Sequence, residues 1–378
     1  PCFMSRISSI AIKNIDEYFK EAIAWPYISS GDRFGARYQP KGFIFDVAGS
    51  SLFTTEEYKY YLCGLLSSRL AIEFMRVINP TMNYQVGDIA KIPVVYDANK
   101  SNGINCLVKE NISIAKDDWD SFETSWDFIR HPLAGTKSTL FEAFADWKDT
   151  CNNRFRIVKT NEEELNQNFN EIYKMQNRLP HNVDDALITL YRPNYQMDIK
   201  SLISYAVGCM LGRYSLDAEG LAYAGGDWDD SKYETFIPNK DNCLLITDEE
   251  YLSDDIVGRF VEFVKCVYGT ETLEENLDFI AEALGNKGNT SREIIRNYFV
   301  KDFYKDHVKT YKKRPIYWLY DSGRQDGFKA LIYMHRYHAD TTGLVRVDYL
   351  HKMQRVYESE VDRMKDLAEN SKNAREVA

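Results

Sequence analysis

"LCGLLSSRLAIEFMRVINPTMNYQVGDIAKIPVV" (residues 62–95) joins an amphipathic stretch to a short polar run. Thr54 and Glu57 form a capping box before it, and Asn79-Pro80 ends the helix because proline lacks a backbone donor and disfavours helical geometry in the preceding residue. The stretch therefore predicts one long helix, then a polar turn over residues 81–85 and an apolar anchor. Apolar residues keep the spacing of one helix face at Leu62, Leu65, Leu66, Leu70, Phe74 and Val77.

The Asn-Pro pair with a nearby aromatic residue is similar to the catalytic loop of amino-methyltransferases, which binds the amino group of a flipped base. Here Thr81 replaces the second proline of that loop and Met82 replaces its aromatic residue. The chain also lacks a glycine-rich strand-to-helix turn with a downstream acid for S-adenosylmethionine. Methyl transfer by this chain is therefore not predicted, and the turn is better suited to reading DNA than to modifying it.

A chain of 378 residues, 44% hydrophobic and 14% aromatic, has enough apolar side chains for two or three globular domains. Its apolar runs are far shorter than the roughly 20 residues that a membrane span needs, so we expect no membrane partner. Seven cysteines without Cys-x-x-Cys spacing indicate reduced thiols and a cytoplasmic protein. Because the chain opens on Pro1 and its start is typical of a domain interior, we expect a fragment of a longer polypeptide.

Charge is distributed unevenly along the chain, although the total is a net −10. Residues 1–100 hold 11 Lys/Arg and 10 Asp/Glu, residues 101–286 hold 17 and 34, and residues 287–355 hold 15 and 7. The middle is therefore strongly acidic, and the basic surface comes largely from the C-terminal part. The same pattern also occurs in ordinary acidic proteins, so charge alone leaves nucleic-acid binding open.

The element patterns predict an α+β fold in three modules. Residues 1–155 form a mixed module, residues 156–286 an acidic helical spacer, and residues 287–378 a small basic α/β module. Within them we expect a short helix over residues 16–24 and two successive helices over residues 138–179, the second capped near Thr160. We also expect a helix around Gly208 and Gly212 that packs closely, a basic helix over 291–311, and strands within 314–322 and 329–338.

Two enzyme sites are considered from residue spacing. Asp46 with Glu57 and Lys59 fits the loose Asp…Glu-x-Lys spacing of metal-dependent endonucleases. That chemistry needs Glu57 and Lys59 on a strand, whereas here they fall in the first helical turn, where an acid complements the helix dipole. His335 and His338 have no third metal ligand nearby in the sequence. A stand-alone nuclease or methyltransferase is therefore the alternative that the residues favour least.

Cations and polar side chains interleave with aromatic rings in residues 27–45, and three adjacent cations precede Pro315. DNA-binding proteins place Arg and Lys on phosphates or guanine edges, and Ser, Asn and Gln on phosphates or adenine edges. A half-exposed sheet and a solvated turn are the ordinary structural explanations for these two groups. The candidate DNA-binding residues are Ser30, Arg33, Arg37, Lys41, Asn83, Tyr84, Gln85, Lys312, Lys313 and Arg314.

Four stretches in order along the chain together resemble the adenine-specific DNA methyltransferases of BREX phage-exclusion systems (the PglX family), in their C-terminal half. These stretches are "SSGDRFGARYQPKGFIFDVAGSSLF", "LCGLLSSRLAIEFMRVINPTMNYQVGDIAKIPVV", "DIKSLISYAVGCMLGRYSLD" and "KRPIYWLYDSGRQDGFKALIYMHRYH". The helix followed by "NPTMNYQVGDIAKIPV" also resembles the target-recognition modules of fused restriction–modification methyltransferases more broadly. Residues 1–155 are accordingly interpreted as a target-recognition-like module.

The resemblance implies a full-length parent whose N-terminal domain binds S-adenosylmethionine and methylates adenine. For this chain it implies sequence recognition and helical packing, with no catalytic residue and no cofactor of its own. The implied partners are double-stranded DNA, the upstream methyltransferase domain and other phage-defence proteins. The leading hypothesis is therefore the DNA-recognition and scaffolding portion of such an enzyme. The alternative is a protein-interaction scaffold of the defence complex with little DNA affinity.

Overall fold

A computed structural model describes residues 14–29, 34–135, 137–285, 287–323 and 327–376. The predicted α+β class is confirmed, since helices dominate and the strands form two small antiparallel sheets. Unit 1 comprises the described residues up to Asp118 together with Cys151–Tyr191, and unit 2 comprises Trp119–Thr150 together with the described residues from Arg192 onward. The three modules, which rest on charge and resemblance, stay a prediction.

Unit 1 contains a three-stranded sheet in the order β2-β1-β3. Ile23 on the central strand lies opposite both Tyr38 and Leu52, and Ile23 and Trp25 are buried on one face. The helix predicted over residues 16–24 is wrong, because pairing on both sides of β1 buries this segment as a strand after one 3-10 turn. The strands are β1 (Ala22–Pro26), β2 (Arg37–Gln39) and β3 (Gly49–Leu52).

Two helices replace the single long helix predicted before Asn79. Ser68 separates them, because its backbone is extended while its hydroxyl donates to the Leu65 carbonyl at 2.6 Å and accepts from the Ala71 N–H. The predicted end at Asn79 is confirmed, whereas the first helix begins after Thr55 without a side-chain cap. The helices of unit 1 are α1 (Glu56–Ser67), α2 (Arg69–Ile78), α3 (Val86–Ile89) and α4 (Ala98–Asp120).

One uninterrupted helix, α5 (Leu140–Ile172), replaces the two predicted after the "HPLAG" break, and it contributes residues to both units. Thr160 lies inside this helix on its exposed face, so it caps nothing. The buried face continues past Thr160 at helical spacing, which explains why the helix does not stop there. The large apolar residues of this face include Trp147, Cys151, Phe155, Val158, Leu165 and Phe169.

Unit 2 contains the second sheet, in the order β4-β6-β5, and the remaining helices. The strands predicted within 314–322 and 329–338 are confirmed as an antiparallel pair with Leu319 opposite Leu331. Among the described residues, no helix has the length and apolarity to span a membrane. The strands are β4 (Leu244–Leu245), β5 (Tyr317–Asp321) and β6 (Lys329–Tyr333); the helices are α6 (Tyr195–Met210), α7 (Ile256–Tyr268), α8 (Leu273–Leu284), α9 (Ser291–Tyr298), α10 (Tyr304–Thr310), α11 (Thr341–Leu344) and α12 (His351–Glu376).

The close packing predicted around Gly208 and Gly212 is confirmed. A Cβ on Gly208 would lie 2.4 Å from the ring of Tyr214, and one on Gly212 would lie 2.4 Å from the ring of Trp228. Gly212 also has a φ of +78°, which a residue with a side chain rarely adopts. These two glycines therefore allow α6 and the turn after it to sit directly against aromatic rings.

Candidate nucleic-acid interface

The polar turn after α2 is organised by the side chain of Asn79. Its Nδ2 donates to the Asn83 carbonyl at 2.7 Å and to Asp88 Oδ2 at 2.6 Å. Its Oδ1 accepts from both the backbone N–H and the hydroxyl of Thr81. Asp88 itself lies within α3. One side chain thus fixes the whole turn, which we call the Asn79 loop (residues 79–88).

Backbone hydrogen bonds attach the Asn79 loop to the end of β1. The Ser29 N–H donates to the Met82 carbonyl at 3.0 Å, and the Tyr84 N–H donates to the Tyr27 carbonyl at 2.7 Å. Trp25 Nε1 donates to the Tyr84 carbonyl at 3.1 Å. The loop is therefore pre-organised, so a ligand that binds it would not have to order its backbone first.

The predicted residues of this loop have different surroundings. Asn83 and Gln85 are exposed. Tyr84 is buried, and its ring meets that of Phe34 edge-on at 5.3 Å between centroids. Tyr84 therefore anchors the loop in the core, and its ring is withdrawn from any surface ligand. Ser30 and Arg33 lie outside the described residues.

Arg37 and Asn83 both pair with β1 or with the extended residues just beyond its end. Arg37 on β2 lies opposite Ala24 of β1, and Asn83 forms an isolated bridge with Ile28 just beyond the end of β1. Four residues of extended chain separate these two positions, which corresponds to about 13 Å. Lys41 is exposed in the turn after β2, next to Gly42 with its φ of +99°. Three of the predicted residues, Arg37, Asn83 and Gln85, thus belong to one sheet-and-loop surface.

Three exposed apolar side chains on this surface were missed by the sequence reasoning. Ile28, Met82 and Val86 all lie in or beside the Asn79 loop and are more than half exposed. An apolar side chain next to exposed amides is the pairing that proteins use for an adenine edge beside a thymine methyl group. The signal in the sequence is an apolar residue on each side of the amides, Met82 and Val86, although residues 81–85 are predicted only as a polar turn.

In unit 2, Lys312, Lys313 and Arg314 form an exposed turn directly after α10. Lys312 and Lys313 have φ angles of 50° and 65°, and the Lys313 N–H donates to the Val308 carbonyl at 2.8 Å. This bond closes the helix end and turns the three side chains outward. Within the described part of the chain, none of the three forms an ion pair.

Other cations of the same basic segment are engaged inside unit 2. Arg292 binds both oxygens of Glu274 at 2.7 Å, and Arg296 binds both oxygens of the buried Asp255 at 2.6 and 2.9 Å. Arg296 also donates to the Thr247 carbonyl. The net charge of the segment therefore overstates the cations that a phosphate could meet, and the turn 312–314 is its clearest free group.

Comparison with known proteins shows what the chain is related to, although no family model matches it. It is 44% identical over 368 residues to the adenine-specific methyltransferase PglX of Lacticaseibacillus casei (strain Zhang), and 36% identical over 392 residues to the adenine-specific methyltransferase BrxX of Escherichia coli O9:H4 (strain HS). The chain is homologous to part of these adenine-specific methyltransferases. The alignments cover 95% and 94% of this chain but only 30% and 32% of the two relatives, and they confirm the resemblance found in the sequence.

The geometry of the Asn79 loop differs from that of the catalytic loop of an amino-methyltransferase. A catalytic asparagine must offer its side-chain oxygen to the amino group of the target base. The Oδ1 of Asn79 instead accepts two hydrogen bonds from Thr81, and its Nδ2 donates to Asn83 and Asp88. Asn79 is therefore committed to the structure of the loop.

Two of the residues that fit the nuclease spacing, Asp46 and Lys59, also form structural contacts. Glu57 and Lys59 lie in the first turn of α1, and Lys59 forms ion pairs with Glu21 and Glu56. Burial alone would lower the pKa of Lys59, but the hydrogen bonds to these two carboxylates raise it above its ordinary value. Asp46 accepts from the N–H groups of Ala48 and Gly49. Across the described residues, no three potential metal ligands converge.

Proposed function

We propose that this chain is the DNA-sequence recognition and scaffolding portion of an adenine-specific DNA methyltransferase that serves phage defence or restriction–modification. The observation that carries the proposal is the Asn79 loop, whose fixed backbone presents the exposed amides of Asn83 and Gln85. Amide side chains can bind two positions of an adenine edge, and Arg can bind a phosphate or a guanine edge. A rigid loop is suited to this task because base readout depends on geometry held within a fraction of an ångström.

In this proposal each of the three predicted modules has a separate function. Residues 1–155 read DNA through Arg37, Lys41, Asn83 and Gln85, residues 156–286 act as an acidic spacer, and residues 287–378 hold phosphates through the turn 312–314. Double-stranded DNA is accordingly the main partner, and the upstream methyltransferase domain and other phage-defence proteins are further partners. Tyr84 keeps a role in positioning Asn83 and Gln85, because its buried ring anchors the residue between them.

S-adenosylmethionine would be bound by the part of the enzyme that this chain does not cover. A cofactor site of the expected kind needs a parallel strand leading through a glycine-rich turn into a helix. The paired strands among the described residues are antiparallel, and the glycine contacts do not outline such a turn. The residues present therefore do not fit this cofactor, and we assign no step of methyl transfer to them.

The test of the proposal is the sequence preference of duplex binding. Asn83→Ala and Gln85→Ala should relax discrimination at individual base pairs by about 1–3 kcal/mol each, with total affinity for random duplex nearly unchanged. Selection from a randomised duplex pool, followed by sequencing of the bound fraction, measures this directly. Gln196→Ala provides a matched control, since that amide lies on α6, where it contacts the Leu284 carbonyl.

Retention of the wild-type sequence logo by both loop variants would remove Asn83 and Gln85 from the reading surface. Absence of duplex binding by the full chain at low salt would remove the proposal as a whole.

A scaffold with little DNA affinity is the second candidate, and one observation favours it. Trp126 is 99% exposed, and it lies in unit 2 among the acidic residues that give residues 101–286 their excess of carboxylates. Buried tryptophans are frequent anchors of protein–protein interfaces, and a fully exposed one is costly to leave in water. Co-purification with other defence proteins that is lost in Trp126→Ala, without any duplex shift by the wild type, would select this candidate.

A further inference from the structure

Unit 2 contains six buried polar atoms that have no hydrogen-bond partner among the described residues, and five of them belong to side chains that lie together, apart from Arg259 Nε on α7. These five atoms are Glu123 Oε2, Arg213 Nε, His307 Nδ1, Tyr311 OH and Tyr317 OH, and we call the five side chains the polar centre. Glu123, Arg213 and His307 are 7%, 8% and 3% exposed, and Tyr317 is completely buried. Buried polar groups in folded proteins almost always have a hydrogen-bond partner, so five exceptions require an explanation.

The five side chains are neighbours. The His307 ring stacks on Tyr317 with centroids 4.7 Å apart and is tilted against Tyr311 at 4.8 Å. The guanidinium carbon of Arg213 lies 5.4 Å from the ring centroid of Tyr311. Arg213 and the Tyr311 hydroxyl also act on Glu123, since both lower its pKa against the larger, raising effect of burial. The exceptions are therefore one site and not five separate irregularities.

The polar centre contains fixed donors and a fixed acceptor. His307 Nε2 accepts from the N–H groups of Ile316 and Tyr317 at 3.2 Å, so the proton of the neutral ring lies on Nδ1, which is a donor. Burial lowers the pKa of His307 to about 3, with a smaller contribution from Arg213, and the ring stays neutral. Arg213 Nε is also a donor. Glu123 Oε2 is the acceptor, while Glu123 Oε1 already accepts from Ser204.

We propose that the polar centre is a binding site for a small uncharged polar ligand, namely one or more ordered water molecules that both donate and accept hydrogen bonds. A bound anion would lie against the Glu123 carboxylate, and a bound cation would lie against Arg213. Water satisfies both kinds of neighbour, and buried waters typically form about three hydrogen bonds to polar groups of this kind. This inference does not depend on DNA recognition by the chain.

The site joins four parts of unit 2. Glu123 comes from the segment after α4, Arg213 follows α6, His307 and Tyr311 belong to α10 and its end, and Tyr317 begins β5. Tyr311 directly precedes the turn 312–314. Water bound at the polar centre would therefore position the end of α10, from which the three exposed cations project.

Removal of one hydroxyl at a time in the full chain tests the proposal. Tyr317→Phe and Tyr311→Phe each delete a hydrogen bond to the bound water, and each should lower the melting temperature by about 2–4 °C. A hydroxyl that truly had no partner would give the opposite sign, because its deletion would remove a buried, unpaired polar group. Tyr320→Phe is the matched control, since its hydroxyl lies at the surface against Thr342, and we expect little change.

A crystal structure of the wild-type chain at a resolution that shows ordered water gives the second readout. Density for water within hydrogen-bond distance of at least three of the five atoms is the expected result. The proposal is overturned by an unchanged or raised melting temperature in both phenylalanine variants. It is equally overturned by density that shows a charged ligand, or by direct bonds among the five side chains with no room for a ligand.

Discussion

Glu162 on α5 is a partly buried carboxyl whose pKa is raised from 4.5 to about 7. Burial raises this pKa because the charged form loses hydration, and the positive charge of Arg37 lowers it by a smaller amount. The pKa is higher in the folded than in the unfolded chain, so the protonated carboxyl favours folding. That contribution is complete below pH 4.5 and is lost as the pH rises through 7.

We therefore expect Glu162→Gln to be about 2 kcal/mol more stable than the wild type at pH 8 and equally stable at pH 4. Urea unfolding of both proteins at the two pH values measures the difference. Glu164→Gln, an exposed position on the same helix, is the control and should shift neither value. Equal stability of the Glu162 variant and the wild type at pH 8 would contradict the assignment of a raised pKa to this carboxyl.

Gly208 shows how a single residue sets the packing of α6. Gly208→Ala should lower the free energy of unfolding by about 1–3 kcal/mol, because the new methyl group would enter the space of the Tyr214 ring. Gly103→Ala on α4 is the matched control: nothing lies within 4 Å of its Cβ position, and helix propensity should raise stability by about 0.5–1 kcal/mol. Chemical denaturation of the two variants should thus give shifts of opposite sign.

At the scale of single residues, the sequence predicts the polar loop but does not show which of its side chains are exposed and which are buried. Asn83, Tyr84 and Gln85 were predicted together as DNA contacts, since all three residue types occur at DNA surfaces. The structure buries the middle one, and this follows from the alternation of side chains in extended chain, where neighbours point to opposite faces. The commitment of Asn79 to the loop could not be predicted, because its four side-chain hydrogen bonds, to three residues, are defined by the folded turn.

The ends of the helices were predicted less well than their presence. The apolar spacing from Leu62 to Val77 continues across Ser68, so periodicity alone could not show the break that its side chain stabilises. At α5 the sequence predicted a break that does not exist. Thr160 is a residue type that often caps helices, but the helix continues through it because its other face is buried along the whole length. Helix α6 and the β5–β6 pair were predicted well, because strong burial and turn residues agree there.

The Asn79 loop gives the prediction at the scale of an element. Asn79→Ala removes the bonds to Asn83, Asp88 and Thr81, and we expect a loss of about 1–2 kcal/mol in the free energy of unfolding. The sequence preference of duplex binding should broaden as well, because Asn83 and Gln85 would lose their fixed positions. Asn152→Ala, an exposed position on α5, is the control and should alter neither quantity.

A stable Asn79→Ala chain with an unchanged sequence preference would show that the loop reads DNA without the hydrogen bonds of the Asn79 side chain. A destabilised chain with an unchanged preference would separate the structural role of Asn79 from base reading.

At the scale of the molecule, the sequence did not reveal the order in which the chain builds its two units. The chain leaves unit 1 after Asp118 and returns to it at Cys151, and the amino-acid composition does not change at either boundary. The net charge of each segment indicates which part of the chain is basic, but it does not show which cations are available to a phosphate. Arg292 and Arg296 are bound by carboxylates within unit 2, which only the folded contacts show, and this leaves the turn 312–314 as the better candidate for phosphate.

That candidate gives the prediction for the whole molecule, the salt dependence of duplex binding. Each phosphate neutralised by a cation releases counterions, so the logarithm of the affinity falls with the logarithm of salt concentration at a slope of about 0.9 per contact. Replacing Lys312, Lys313 and Arg314 together by Gln should weaken all sequences alike and reduce this slope by up to about 3. Replacing Arg363 and Lys365, which pair with Glu360 and Asp362 on α12, should leave the slope unchanged. A slope that is the same in the triple variant, at an unchanged melting temperature, would show that DNA contacts the chain without this turn.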